Sequence, residues 1–329
     1  MKPSDIERMI TIAYATRRPV FLWGPPGCGK SSIVKKVAKK VLKIEMIDLR
    51  AIHFDPVDLR GLPKIVGDVV KWIVPSFLPT GGFGILFLDE LNAAPPMVQA
   101  ALYQLILDRR LGDYVLPDGW MIVAAGNRET DRAVTQRMSS ALANRFAMHL
   151  NVDVDFGEWK DWAFENGVDP DIIAFFSWRP ELLFTFDPQR NDKAFSTPRS
   201  IEFLSDLIKA GLDPRKDFDP MAGCVGNGVA TEVMGFYRIK DSLVDLNEAI
   251  ENPEKVKLPI DNMAACFAFC AALARKATKK NMASIVKLAS RLRGDFGVLL
   301  IKDAIKVNKG LAETEAYIEW ATANQNVLG

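Results

Sequence analysis

The chain has 329 residues, more than one small core requires, which predicts two domains with an extension. Apolar residues make up 49 %, enough for ordinary cores, while 42 Lys+Arg against 41 Asp+Glu leave a net charge of +1 and exclude a global basic footprint for nucleic acid. Cys28, Cys224, Cys266 and Cys270 form no C-x-x-C pair, and His53 and His149 stand apart, so neither a zinc site nor a disulfide framework is expected. The longest apolar run, residues 263–274, is far shorter than the roughly 20 residues that span a bilayer, and residues 1–16 lack a signal-peptide core. The expectation is a reduced, cytoplasmic protein without a membrane segment.

Residues 4–17 read as a short helix with Ser4 as N-cap, Glu7 three residues on, and Ile6, Ile10 and Tyr14 on one face. Residues 19–23 are a short apolar run, a buried strand. Gly24-Pro25-Pro26-Gly27-Cys28-Gly29-Lys30-Ser31 follows, satisfying the phosphate-loop pattern G-x-x-x-x-G-K-[ST]. Beyond it Ile33, Val34, Val37, Ala38 and Val41 recur at helical spacing. A strand, a glycine turn and a helix N-terminus gather backbone N–H groups around one anion, and glycine lets the main chain come close. In this pattern Gly24 through Ser32 contact the nucleotide, Lys30 reaches the β- and γ-phosphates, and the Ser31 hydroxyl binds Mg²⁺. The helix-terminal setting of Cys28 predicts a lowered thiol pKa.

Residues 44–49 alternate apolar and charged side chains as a second strand does. Residues 55–61 then read as a helical turn ended by Gly61, and residues 65–70 as a hairpin around Gly67-Asp68. This insertion, about residues 62–75, displays something. Ile85-Leu86-Phe87-Leu88-Asp89-Glu90 reads as a strand buried on both faces, with two carboxylates at its C-terminal end, the edge where open α/β sheets bind ligands. Asp89 fits a Mg²⁺ ligand and Glu90 a group that aims the attacking water. Residues 95–108 follow as a helix with Val98, Leu102, Leu105 and Ile106 inward, residues 109–117 as a turn or small hairpin, and residues 120–125 as another buried strand. At that strand's tip Asn127 can bond the γ-phosphate or the lytic water. Residues 139–146 lead into a last strand, 146–150, after which the pattern turns helical. A helix over 199–210 has Pro198 near its first turn, and residues 241–329 hold three or four more. Cys266 and Cys270 fit apolar packing on one helix face.

Taken together, GPPGCGKS, ILFLDE, AAGN, NRF and STPRS resemble an AAA+ ATPase in type, order and spacing, and the interrupted second helix resembles the helix-2-insert branch, within it the MoxR family. The resemblance covers residues 1–210. It implies an α/β P-loop fold with a five-stranded parallel sheet between helices (1–151), a helical lid (152–240) and a helical C-terminal extension (241–329). It further implies a homo-oligomeric ring, commonly a hexamer, with ATP and Mg²⁺ between neighbours, and a partner with a von Willebrand factor A domain. By position Asn127 resembles sensor 1, Arg145 the arginine finger entering the next subunit, and Arg199 sensor 2, with Arg137 the competing finger. The segment 109–118 is shorter than typical MoxR members carry.

The function expected is an ATP-hydrolysing remodelling or assembly factor whose client the sequence does not identify. The alternative is a DNA-acting motor, with Lys64 and Lys71 near Trp72 meeting a phosphate backbone; a nucleotide-gated binder with little turnover is third. No Asn-Lys-x-Asp guanine motif occurs.

Overall fold

The structure, a computed structural model, describes residues 1–131, 138–190 and 192–325. It forms two compact units, Met1–Glu158 with Phe186–Asn191, and Trp159–Thr185 with Asp192–Gly329.

In the first unit the strands are β1 (Val20–Trp23), β2 (Glu45–Arg50), β3 (Leu62–Val66), β4 (Val69–Ile73), β5 (Gly84–Asp89), β6 (Arg110–Leu111), β7 (Tyr114–Val115), β8 (Trp120–Gly126) and β9 (Met148–Asn151). Its helices are α1 (Pro3–Thr16), α2 (Lys30–Lys36, continued by a π-helical stretch Val37–Leu42), α3 (Pro56–Arg60), α4 (Pro96–Asp108) and α5 (Ser140–Ala143). The fold is α/β. Five strands make one parallel sheet in the order β2-β5-β8-β1-β9. Strand β8 is buried throughout, and β5 up to its last residue, which is why both read as unbroken apolar runs. Leu86 and Leu88 of β5 and Ile122 and Ala124 of β8 share a core with Val98, Leu102, Leu105 and Ile106 of α4.

The cap of helix α1 lies two residues earlier than predicted. Pro3 takes the first turn, where its missing N–H is no loss, and Lys2 stands at the cap. Ser4 does not cap; its N–H and hydroxyl donate to the Glu158 carboxylate at 2.8 and 2.6 Å.

Strands β3 and β4 form the predicted hairpin, exposed along its whole length. Leu62/Ile73, Lys64/Lys71 and Val66/Val69 are opposed on one face, and Pro63/Trp72 and Ile65/Val70 on the other. The two lysines therefore sit on the face opposite Trp72, and like charges directly opposed weaken the pair rather than support it.

The second unit is helical. Helix α6 (Phe156–Glu165) leads into it, followed by α7 (Pro170–Trp178), α8 (Pro198–Lys209), α9 (Phe218–Val225) and α10 (Asn227–Asp241). Five further helices, α11 (Leu246–Glu251), α12 (Met263–Lys276), α13 (Met282–Arg291), α14 (Gly294–Val307) and α15 (Glu315–Ala323), take the place of the three or four expected. Short turns of two to a few residues separate some of them, too brief to show as breaks in the apolar pattern. Cys266 and Cys270 are buried on α12, as packing requires.

One ion pair crosses this unit's interior. Lys160 Nζ lies 2.9 Å from Asp303 Oδ1, both side chains nearly buried. Burial pushes the Asp303 carboxyl up, against the downward pull of the Lys160 ammonium. The folded state thus binds a proton there more readily than the unfolded chain, and the burden of the charge grows as pH rises through the folded pKa. Removing one partner strands the other, whereas replacing both removes two desolvated charges. Lys160→Met alone is expected to destabilise the unit by roughly 3–5 kcal/mol in urea unfolding at neutral pH, and Lys160→Met/Asp303→Leu to recover most of that loss. A double variant no better than the single would contradict this.

Candidate functional site

The parallel register decides what meets at the carboxyl edge of the sheet. Trp23, the last residue of β1, pairs with Gly126, the last of β8, and Arg50 of β2 pairs with Asp89 of β5. The Gly24 N–H extends the ladder by one bond, donating to the Gly126 carbonyl at 3.2 Å. The chain leaving β1 is therefore laid directly beside the chain leaving β8. Gly29, at φ 94°, occupies the left-handed region just before α2, and its carbonyl accepts the Ile33 N–H at 3.0 Å.

Lys30 opens α2 and folds back under the loop. Its Nζ donates to the carbonyls of Gly24 at 2.6 Å and Pro25 at 3.1 Å and to Asn127 Oδ1 at 3.1 Å. With the Asn127 oxygen so occupied, its Nδ2 group is the donor left to serve a ligand. The Ser31 hydroxyl donates to Asp89 Oδ2 at 3.1 Å, and Asp89 Oδ1 accepts the Glu90 N–H at 3.0 Å, so both carboxylate oxygens are fixed. Glu90 takes a left-handed conformation, φ 56° and ψ 32°, which a side chain other than glycine adopts at a cost of about 1–3 kcal/mol. That turn starts a short 3₁₀ segment, Leu91–Ala93. Ser31, Asp89, Glu90 and Asn127 are each half-buried, shielded without being sealed.

The structure thus brings together Lys30, Ser31, Asp89 and Asn127, with Glu90 adjoining. Ser32 is exposed on the first turn of α2. Pro25 and Cys28 are buried, and Pro26 and Gly27 partly so.

Arg145 follows α5 on a turn. Its Nη1 donates to the Ala141 carbonyl at 2.7 Å and its guanidinium lies 5.3 Å from the Tyr103 ring centre. Among the described residues it makes no ion pair with a carboxylate. The turn is held from behind: His149 bonds the Ala143 carbonyl through Nε2 at 2.9 Å and accepts from Trp23 Nε1 at Nδ1, 3.0 Å. Arg137 lies outside the described residues. Arg199 belongs to the second unit, exposed at the second position of α8 behind a Thr197–Ser200 capping box.

Two groups at this edge were not expected from the sequence. Asp48, on β2, has its carboxyl pushed up by burial and then by the Asp89 charge. Its only sequence signal was an alternating strand, which says nothing of which face meets a ligand. Asn92 is 1 % exposed and donates from Nδ2 to the Asn127 carbonyl at 2.7 Å; in the sequence it reads as one polar residue before a helix start.

Among the described residues no three His, Cys, Asp or Glu form a metal cluster, and no helix is long and apolar enough to cross a membrane.

Cys28 departs from expectation. The thiol is 5 % exposed, and burial pushes its pKa up, outweighing the nearby Lys30 and Arg128 charges. The helix terminus does not make it a thiolate. At pH 8 Cys28 is expected to react with a thiol reagent more slowly than the half-buried Cys224, the difference vanishing in denaturant; peptide mapping that finds Cys28 labelled first would contradict this.

Comparison with known proteins fits this geometry. Residues 19–146 match the AAA domain (dynein-related subfamily). Protein MoxR of Paracoccus denitrificans is 24% identical over 270 residues, 78% of this chain and 68% of that protein. Denitrification regulatory protein NirQ of Stutzerimonas stutzeri is 26% identical over 220 residues, 64% of this chain and 79% of that protein. Midasin of Giardia intestinalis is 28% identical over 178 residues, which are 50% of this chain and 4% of that protein, so the chain spans only a small part of it.

Proposed function

The chain belongs to the AAA+ ATPases, in the MoxR family, and we propose that it hydrolyses ATP in a ring of its own copies to remodel or assemble a client protein complex. The observation that carries the reading is the convergence of Lys30 with Asn127 and of Ser31 with Asp89, four residues from three separate segments, at one sheet edge.

The loop N–H groups and Lys30 bind the phosphates. Lys30 is now held by two carbonyls that a phosphate would replace. The Ser31 hydroxyl and Asp89 carboxylate, an oxygen-only pair in contact, suit a hard divalent cation and would hold Mg²⁺, which neutralises charge on the phosphate oxygens when bound. Glu90, held in a left-handed backbone directly after Asp89, orients and polarises the attacking water. Asn127 Nδ2 bonds that water or the γ-phosphate.

Arg145, tied in its own copy to the Ala141 carbonyl and the Tyr103 ring, serves the neighbouring copy's site as the finger. Arg199 is given a nucleotide-sensing role on family resemblance alone. The exposed hairpin β3–β4 is the element that meets the client or a partner bearing a von Willebrand factor A domain. The DNA-acting alternative draws less support, since Lys64 and Lys71 share a face that excludes Trp72, and phosphate contact and base stacking would fall on opposite sides.

Lys30→Ala is expected to abolish nucleotide binding in a fluorescent-nucleotide titration; unchanged affinity would remove Lys30 from the phosphate site. Glu90→Gln should keep ATP bound while turnover falls by about 10²–10⁴-fold. Arg145→Ala should bind normally and lose turnover by up to about 10³–10⁵-fold, and mixing the two variants in one ring should restore part of the rate. No recovery in a proven mixed ring would place the arginine in its own copy's site or outside the chemistry.

A further inference from the structure

We propose that Asn92 is a positioning residue that locks the turn carrying Glu90 to the strand end carrying Asn127, so that the two groups face the same point. The inference rests on the ATPase reading above and adds a residue to it.

Asn92 lies in the 3₁₀ turn that Glu90 begins, and the Ala93 N–H closes that turn on the Glu90 carbonyl at 2.9 Å. From this turn the Asn92 side chain crosses to the next strand of the sheet, where Nδ2 donates to the Asn127 carbonyl at 2.7 Å. Asn127 in turn accepts from Lys30. One buried amide therefore closes a path from the Glu90 turn through Asn127 to the phosphate-loop lysine.

The amide cannot sit the other way round. Flipped, its oxygen would face the Asn127 carbonyl, two acceptors with no proton between them. In the observed orientation Asn92 Oδ1 has no hydrogen-bond donor, although the residue is buried. It lies instead against Gly126, where an added Cβ would stand 2.1 Å from it. The Gly126 Cα–H aims at Oδ1, a weak contact that only glycine permits. Burying an amide oxygen without a conventional donor is unfavourable. An apolar side chain would fill this space without that penalty, so volume alone does not explain an asparagine here. What an apolar residue cannot supply is the donor to Asn127.

The test uses the full chain, with kcat, nucleotide affinity and amide hydrogen exchange over residues 124–128 measured for Asn92→Ala, Asn92→Asp, Gly126→Ala and Asn92→Ala/Gly126→Ala. Asn92→Asp keeps size and shape but at pH 8 opposes two oxygens. Both Asn92 variants are expected to lose about 10- to 100-fold in kcat, as a displacement on the scale of 1 Å can cause, with nucleotide affinity changed by less than about threefold. Gly126→Ala should lower kcat similarly by pushing Asn92 aside, yet add much less on the Asn92→Ala background, where the severe overlap is gone and only the Phe21 ring, 3.0 Å from the added Cβ, must give. Exchange over 124–128 should quicken in each variant, which reads the tie even in a chain that turned over no ATP. Wild-type kcat and exchange in Asn92→Asp would overturn the proposal, as would fully additive effects of Asn92→Ala and Gly126→Ala. An inactive wild type would strike at the ATPase reading instead and leave the exchange measurement to decide on Asn92.

Discussion

The pairing of Trp23 with Gly126 is the constraint on which the site depends. It sets the phosphate loop, which leaves β1, against Asn127, which leaves β8, and a shift by one residue would turn every side chain on β1 to the other face of the sheet. Packing holds that register, since both strands are buried and a slip would force large side chains such as Phe21 and Trp120 into space shaped for others. The chemistry at the edge is thus fixed by packing in the sheet's interior, through residues that touch no ligand.

Around this edge the chain accepts local strain. Glu90 holds a left-handed backbone, and Asn92 carries an oxygen with no conventional donor beside it. Neither helps folding. Both are tolerated because β5 and α4 anchor the turn on either side through a core that includes Leu86, Leu88, Leu91, Val98 and Leu102. Unfavourable local geometry maintained by a well-packed scaffold is what a functional edge looks like when its side chains are placed for a ligand.

Much of this was legible beforehand, for physical reasons that differ by region. The glycine-lysine-serine run, the apolar strand ending in two carboxylates and the Gly-Asn strand tip each combine a composition with a mechanism, and the family resemblance they carry implied the five-strand parallel sheet. The hairpin was visible from its Gly67-Asp68 turn, but its pairing, which puts Lys64 and Lys71 opposite each other and Trp72 behind them, was not. Asn92 and Asp48 were missed because their significance lies in contacts to other strands, which no local pattern encodes. Cys28 was misread: a helix N-terminus favours thiolate, but burial outweighs it, and burial is a tertiary property. Ser4 has the right residue type for a cap, yet Pro3 extends the helix past it and Glu158 takes its hydroxyl. In the helical second unit the break between α13 (ending at Arg291) and α14 (starting at Gly294) was too short for periodicity to resolve.

The proposed mechanism requires that a complete site is made only when copies assemble, with Arg145 of one copy serving the next. ATP turnover per protomer over a wide range of protein concentration, with mass determined at each point, decides whether this holds. If the site is completed between copies, the specific rate climbs with the population of assembled rings and then saturates. A constant specific rate carried by a species shown to be monomeric would contradict it, because one copy would then hold every group the reaction needs.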